Sequence, residues 1–460
     1  MTHERSAAPG AAADGLDGFP VVRRDVAGID VGSEQHWVCA PAREGPGRDV
    51  AVFPATTPGV EHLIAWLHER QVRAVALEST GVYWIVPHEM LEAASFEVVL
   101  ADTRTLKRVP GRPKSDRRDC EWIQRLQACG LLRGAFRPSE QVCILRTLLR
   151  DKGTLIAERS DWLRRMQKSL DQMNVRIHRA VSDLDGVTGM AILRAIVAGE
   201  RDPHRLAALR DGRCHRTAAE IAEQLTGHWR ADHLFSLQQA LQMYDAITAR
   251  VLAYDQEIQR QLAQMTPPDR HDASAPPPTT ATKAKAMKTR GQDPLRQALY
   301  RMSGVDLTSI DALGVETVSI VLSEYGPDLS RFPTEKQFVA HLRLAPYQPI
   351  SGGKVVRNRK KPCNAARVGT ALRTAAVTAR RSRTALGAYY RRLAQRCGAD
   401  VAVFATARKL AQYIYRLLRW GQPYVDEGAT AYEQRYQEAR VKRIAATAKQ
   451  LGYTLIAVTT

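Results

Sequence analysis

Aromatic residues make up only 6% of this 460-residue chain. Base stacking on aromatic platforms is therefore not its main way of meeting a nucleic acid. The seven cysteines, Cys39, Cys120, Cys129, Cys143, Cys214, Cys363 and Cys397, are odd in number and never form a C-x-x-C pair. That suggests neither a disulfide framework nor a zinc site, and the cysteines read as buried thiols in a reducing compartment. No run of about 18 apolar residues occurs, and the first residues lack a basic-then-apolar signal pattern, so no membrane partner and a cytoplasmic location are expected. Positive charge is plentiful instead. Sixty-seven Lys and Arg stand against 48 Asp and Glu, a formal net charge of +19. Such a surface attracts a polyanion, because neutralising phosphates releases condensed counterions. An apolar share of 44% over this length supports two or three domains with real cores.

Composition and periodicity divide the chain. Residues 1–20, rich in Ala, Gly and Asp, read as a disordered leader. Over 21–137, β-rich runs appear at Val26–Val31, His36–Ala40, Asp49–Phe53, Val72–Glu78 and Glu97–Ala101. Amphipathic helical patterns appear at Gly59–Arg70, Tyr83–Ala94 and Ser115–Cys129. Three early strands followed by alternating helix and strand predict a mixed α/β sheet, compatible with a ribonuclease-H-like module. Residues 138–265 read as a helical arm, in which Ile144–Leu184 suits a coiled coil or antiparallel hairpin and offers a self-association surface. Residues 266–295, Pro, Ala, Thr and Lys rich, read as a flexible linker. A mostly α domain is expected over 296–425 and a polar helical tail over 426–460. Two helical stretches are expected to meet at Leu313-Gly314-Val315, a hairpin able to point amides at phosphate.

The first strand ends in Gly28-Ile29-Asp30-Val31-Gly32-Ser33, with one carboxylate among apolar neighbours. A buried carboxylate needs a cation or a strong donor. Capping of the following turn is the plainer alternative. Val72–Glu78 repeats the pattern and ends in Glu78, which can equally be a solvated strand end. Lys114-Ser115-Asp116-Arg117-Arg118-Asp119 puts Asp116 and Asp119 on one face of a helix capped by Ser115. Acidic residues in a first helical turn also simply complement the helix dipole. Together, however, Asp30, Glu78, Asp116 and Asp119 make the set that holds two Mg2+ ions for phosphodiester cleavage. The surrounding cations Arg104, Lys107, Arg108, Arg112, Lys114, Arg117 and Arg118 suit a nucleic-acid backbone, or form a solvated loop.

Near the other end, Arg343-Leu344-Ala345-Pro346-Tyr347-Gln348-Pro349-Ile350-Ser351-Gly352-Gly353-Lys354 enters a glycine loop. Lys354, Arg357, Arg359, Lys360 and Lys361 follow. A serine hydroxyl attacks phosphorus only with positioning, charge neutralisation and help with its proton. The cations meet the second need, but Ser-Gly-Gly is also a common turn, and the loop can merely bind phosphate.

The ordered set GIDVGSEQHWV, ALESTGVYW, GRPKSDRRDCEWIQRL and RLAPYQPISGGK resembles the DEDD transposases of bacterial insertion sequences of the one-hundred-and-ten type, over nearly all of Val26–Tyr424. The resemblance implies a RuvC-like amino-terminal domain whose acidic residues map to Asp30, Glu78, Asp116 and Asp119. A coiled-coil arm and a carboxyl-terminal transposase domain follow, with its serine at Ser351. It further implies a transient phosphoserine link to DNA, a Mg2+-bound carboxylate site working with that serine, and a nucleoid-associated bacterial protein. The implied partners are donor and target DNA, a structured bridge RNA that carries specificity by base pairing, and further copies in a homodimer or homotetramer. The chain departs from the family at Asp311-Ala312-Leu313-Gly314-Val315, at KKPCNAARVG and in the long linker. Two rival readings use the same residues: a RuvC-like nuclease or resolvase in which Ser351 is structural, and a non-catalytic domesticated nucleic-acid binder. A third, the phosphate loop of actin-like kinases, lacks the second Asp-Gly-Gly loop that such proteins need.

Overall fold

The computed structural model describes residues 19–79, 81–101, 115–132, 134–214, 216–265, 294–345, 350–352, 354–355, 367–422, 426–454 and 456. The leader up to residue 18, the linker over 266–293, and the cations Arg104, Lys107, Arg108, Arg112, Lys114, Arg357, Arg359, Lys360 and Lys361 lie outside the described residues. The chain divides into two compact units, Met1–Arg137 and Pro138–Thr460.

The first unit is a mixed α/β sheet. Its strands are β1 (Val26–Val31), β2 (Gln35–Pro41), β3 (Arg48–Pro54), β4 (Ala74–Glu78) and β5 (Glu97–Ala101). They lie in the order β3-β2-β1-β4-β5. The first three pair antiparallel, and β4 and β5 run parallel to β1. Period-2 alternation sends Ala27, Ile29, Val31, Val75 and Leu77 into one core, with Leu63 and Leu67 of helix α1 (Thr57–Glu69) and Leu91 of α2 (Ile85–Ala93). Pro58 opens α1, and the Thr56 hydroxyl accepts from the Gly59 amide at 3.3 Å, so the helix starts two residues earlier than its apolar stripe suggests. The opposite sheet face is lined with small residues and carries α3 (Asp116–Ala128), whose Ala128 buries against Val26 and Ala74.

The second unit is helical. Helix α4 (Glu140–Gln172) is followed by α5 (Ile177–Ala180), α6 (Val187–Val197), α7 (Pro203–Ala208), α8 (Ala218–Leu225) and α9 (Ala231–Gln264). The expected stretch through Leu184 breaks at Asn174, where the backbone turns left-handed at φ 57° and α4 has ended. Asn tolerates that conformation better than most residues. Helices α4 and α9 lie antiparallel. Lys152 pairs with Asp255 at 2.6 Å, and further along Arg159 lies over the Tyr244 ring at 5.8 Å. Met166 and Leu170 of α4 bury with Leu237 and Leu241 of α9 in one apolar cluster, which the short helices complete.

The remaining elements are α10 (Pro294–Ser303), α11 (Val315–Tyr325), α12 (Glu335–His341), the two-residue strands β6 (Ile350–Ser351) and β7 (Lys354–Val355), α13 (Arg367–Ala379), α14 (Ala385–Cys397), α15 (Ala399–Trp420) and α16 (Gly428–Gln450). Instead of two helices meeting at Leu313-Gly314-Val315, a 3-10 turn over Leu307–Ser309 intervenes, and Gly314 is the extended residue just before α11. Asp306 accounts for the interruption. Its carboxylate accepts from the Thr308 amide at 3.0 Å, a local bond that competes with helix. Glu324, at the end of α11, holds Arg150 through a two-pronged pair at 2.9 and 2.8 Å and so ties α11 to α4.

Candidate functional site

The expected carboxylates are positioned by a fit between strand and helix. In β1, Val26, Gly28 and Asp30 share a face and are spaced by two residues, about 6.6 Å each step. In α3, four-residue steps back from Gln124 to Cys120 to Asp116 advance about 6 Å each. The two ladders match. Gln124 Nε2 donates to the Val26 carbonyl at 3.3 Å, which fixes one rung. At the next, a Cβ on Gly28 would lie 2.2 Å from the Gln124 nitrogen and 2.5 Å from the Cys120 oxygen, so only glycine lets the helix backbone come this close. Helix α3 therefore runs antiparallel to β1, and its first turn, bearing Asp116 and Asp119, lies at the end of the strand that carries Asp30.

Parallel pairing brings in Glu78. Ile29 is in register with Leu77, so Asp30 and Glu78, the next residues, end their strands side by side. The Ser79 hydroxyl donates to the Ala101 carbonyl at 3.1 Å and fixes the end of β4 against β5. The Ser115 hydroxyl accepts from the Arg118 amide at 3.4 Å, the cap expected from sequence. Asp30, Glu78 and Asp119 are half-buried; Asp116, Arg117 and Arg118 are exposed.

The electrostatics agree with this placement. Burial pushes the Cys120 thiol well above its ordinary range, and the charges of Cys39, Glu121 and Asp30 add to the shift, which puts the Asp30 carboxylate within electrostatic reach of α3. Cys39 is likewise pushed up by burial, to about 12. Both thiols are thus inert. Trp37 stands opposite Asp30 on β2, and its buried Nε1 has no hydrogen-bond partner among the described residues. No sequence signal marks Gln124 or Trp37; the glycines beside Asp30 suggest room for a close ligand, whereas Gly28 makes room for the α3 backbone.

Among the described residues, no three or more His, Cys, Asp or Glu side chains are gathered into a metal cage. The residue types at the two adjoining strand ends and the helix turn are carboxylates, the oxygen ligands that a hard cation prefers.

Ser351 occupies a different setting. It pairs in register with Lys354 across a two-residue hairpin, closed in part by exposed Gly352 at φ 58°. Lys354 is exposed. The stem before the hairpin is firmly built. Thr334 caps α12, Glu335 of α12 accepts from Arg416 at 2.8 Å and from Gln412 at 2.9 Å on α15, and buried Phe338 meets Tyr325, Phe332 and Tyr415. On the return side, a Cβ on Gly369 of α13 would lie 2.5 Å from the Leu342 carbonyl, so α13 is seated against the end of α12.

Two family models match the chain. A transposase model, the DEDD transposase of IS110, covers residues 27–175, and the Transposase IS116/IS110/IS902 family model covers residues 305–391. Together they take in about half of the sequence and both structural units. No curated protein matches. The chain belongs to the IS110 family of transposases, and is thus an enzyme that cleaves and recombines DNA. Transposases of this DEDD class are typically metal-dependent. No helix among the described residues is long and apolar enough to cross a membrane.

Proposed function

We propose that this transposase cuts and exchanges DNA strands for a mobile insertion sequence with Ser351 as nucleophile and Asp30, Glu78, Asp116 and Asp119 as a Mg2+-binding set. The observation that carries the reading is the register of β1 on β4, which continues to Asp30 and Glu78, with α3 seated on Gly28 and its first turn toward the same end of the sheet. The strand order, three antiparallel strands followed by two parallel ones, supports a ribonuclease-H-like, RuvC-like domain over 21–137. The antiparallel pair α4 and α9 supports a coiled-coil arm over 138–265 and self-association as a dimer or tetramer. Residues 296–425 would then be the transposase domain.

In this mechanism the Ser351 oxygen forms a bond to phosphorus, the bond from phosphorus to the departing DNA oxygen breaks, and that oxygen takes up a proton. Reversal with a second strand end rejoins the DNA and frees the serine. Lys354 and the cations that follow it neutralise the phosphate under attack. Bound Mg2+ would supply charge neutralisation and activation of oxygen nucleophiles. The carboxylates' own task is to hold it at the strand ends, while Gly28 and Gln124 keep α3 in place.

A structured bridge RNA pairing with donor and target DNA would carry the sequence specificity. Aromatic residues are too few for base stacking to do so across the surface. The test is strand exchange with copurified RNA, which is also sequenced. Ser351→Ala and Asp30→Asn are expected to lose exchange and keep nucleic-acid binding. The β1, β4 and α3 arrangement suits a plain RuvC-like nuclease as well, and cleavage surviving in Ser351→Ala would establish that reading instead.

A further inference from the structure

Helix α16 lies beyond both family matches and buries little of its own surface. Tyr432 is its one buried residue among those described. It packs on α14 mainly through rings and cations. Arg392 of α14 lies 3.6 Å from the centre of the Tyr436 ring and 4.8 Å from that of Tyr432. Half-buried Arg392 hydrogen-bonds to Tyr432, while its Nη1 is enclosed and has no hydrogen-bond partner among the described residues. Around it open about 1120 Å³ of cleft, lined by Arg392, Arg396, Arg440 and Tyr436 with Glu433 and Glu438. Beneath it the positive charge continues. Lys409 of α15 lies over the Tyr389 ring at 4.1 Å, and its pKa is lowered by burial and by Arg392 and Arg435, while Glu427 opposes the shift. Glu427 is itself paired to Arg435. The cluster thus has more cations than its own carboxylates balance, and an anion would complete it.

The charge along the helix suits a polymeric anion. Helix α16 carries five cations, Arg435, Arg440, Lys442, Arg443 and Lys449, against two carboxylates over a length of about 35 Å. All five are exposed, and most lie beyond the cleft. A mononucleotide would need only the cleft; a continuous backbone uses the helix as well.

We propose that the cleft between α14 and α16 seats the sugar–phosphate backbone of duplex DNA, with Arg392 at its centre and Arg396 and Arg440 at its rim. The site holds the duplex without reading its sequence, since phosphate contacts position and base contacts specify. It rests on the transposase reading only for the choice of DNA. The test measures binding of the full chain, as its Ser351→Ala variant, to a duplex of arbitrary sequence by fluorescence anisotropy across a salt series. Arg396→Gln with Arg440→Gln, both at exposed positions, are expected to weaken binding and to reduce the slope of log affinity against log salt by about 0.9 for each phosphate that is no longer neutralised. Arg392→Gln is expected to weaken it further. An unchanged slope in the folded Arg396 and Arg440 double variant overturns the proposal, as does a loss confined to single-stranded RNA. Because no cleavage enters the readout, failure of the serine chemistry leaves the result intact.

Discussion

Asp30 and Glu78 end buried, paired strands on a five-stranded sheet, whereas Ser351 stands on a two-residue strand of a small hairpin. The first setting is made rigid from below. Small residues on one sheet face admit a helix backbone, and the helix delivers its acidic turn to the strand ends. Among the described residues, the packing that precedes the second is that of α12 with α13 and α15. A two-stranded ribbon of this length is marginal on its own. The proposed function gives them unlike tasks: the carboxylates sit on strands and a helix set by the packing of the sheet, while Ser351 sits on a short hairpin in register with Lys354.

The two settings differ most at the reacting groups. Ser351→Ala is expected to lower strand cleavage by roughly 10⁴-fold or more, the scale of losing a nucleophile, with DNA affinity retained in a gel-shift assay. Asp30→Asn should fall comparably, since no other described group replaces the donor on β1. Unequal losses would show that one station works without the other.

Next in size is a contrast between two glycines. Gly28→Ala drives a methyl into the α3 backbone and is expected to cost at least the ~1–3 kcal/mol of an overpacked core, read from the urea midpoint of the first unit. Gly352→Ala meets nothing within 4 Å but must hold φ 58°, which costs ~1–2 kcal/mol within the hairpin alone and leaves global unfolding nearly unchanged. Equal effects on global stability would erase the distinction between a packed site and an anchored loop.

The smallest effect is on pH. Burial is the largest cause that holds His36 and His88 of the first unit, and His341 of the second, below their ordinary value. Folding keeps them neutral while the unfolded chain takes up protons, so both units lose stability as pH falls through about 6.5 and are insensitive above it. The side chain of Glu335 has the opposite chemistry: Arg416 holds its carboxyl low, so its contribution is lost only as pH falls below the usual carboxylate range. Thermal melts of His36→Asn at neutral and mildly acid pH should show a flatter dependence than the parent chain.

Much of the first unit was legible in the sequence. Alternation located all five strands to within two residues, and Ser115 announced the helix it caps. Strand order was not legible, because period-2 patterns say which face is buried and not which strand is the neighbour. Nor was the role of Gly28, which depends on a helix some 90 residues away in the chain. In the second unit, the stripe from Ile144 to Leu184 gave helix but not the break at Asn174, since the apolar positions continue through it into the same core. Ser351 stayed ambiguous because Ser-Gly-Gly specifies a turn whether or not chemistry occurs there.

The most direct test is to quench a cleavage reaction, digest the protein and map by mass spectrometry the peptide that carries a DNA phosphate. The expected result is a single adduct on Ser351, absent from Ser351→Ala and strongly reduced in Asp30→Asn. An adduct that persists in Ser351→Ala, or forms on another side chain, would contradict the account.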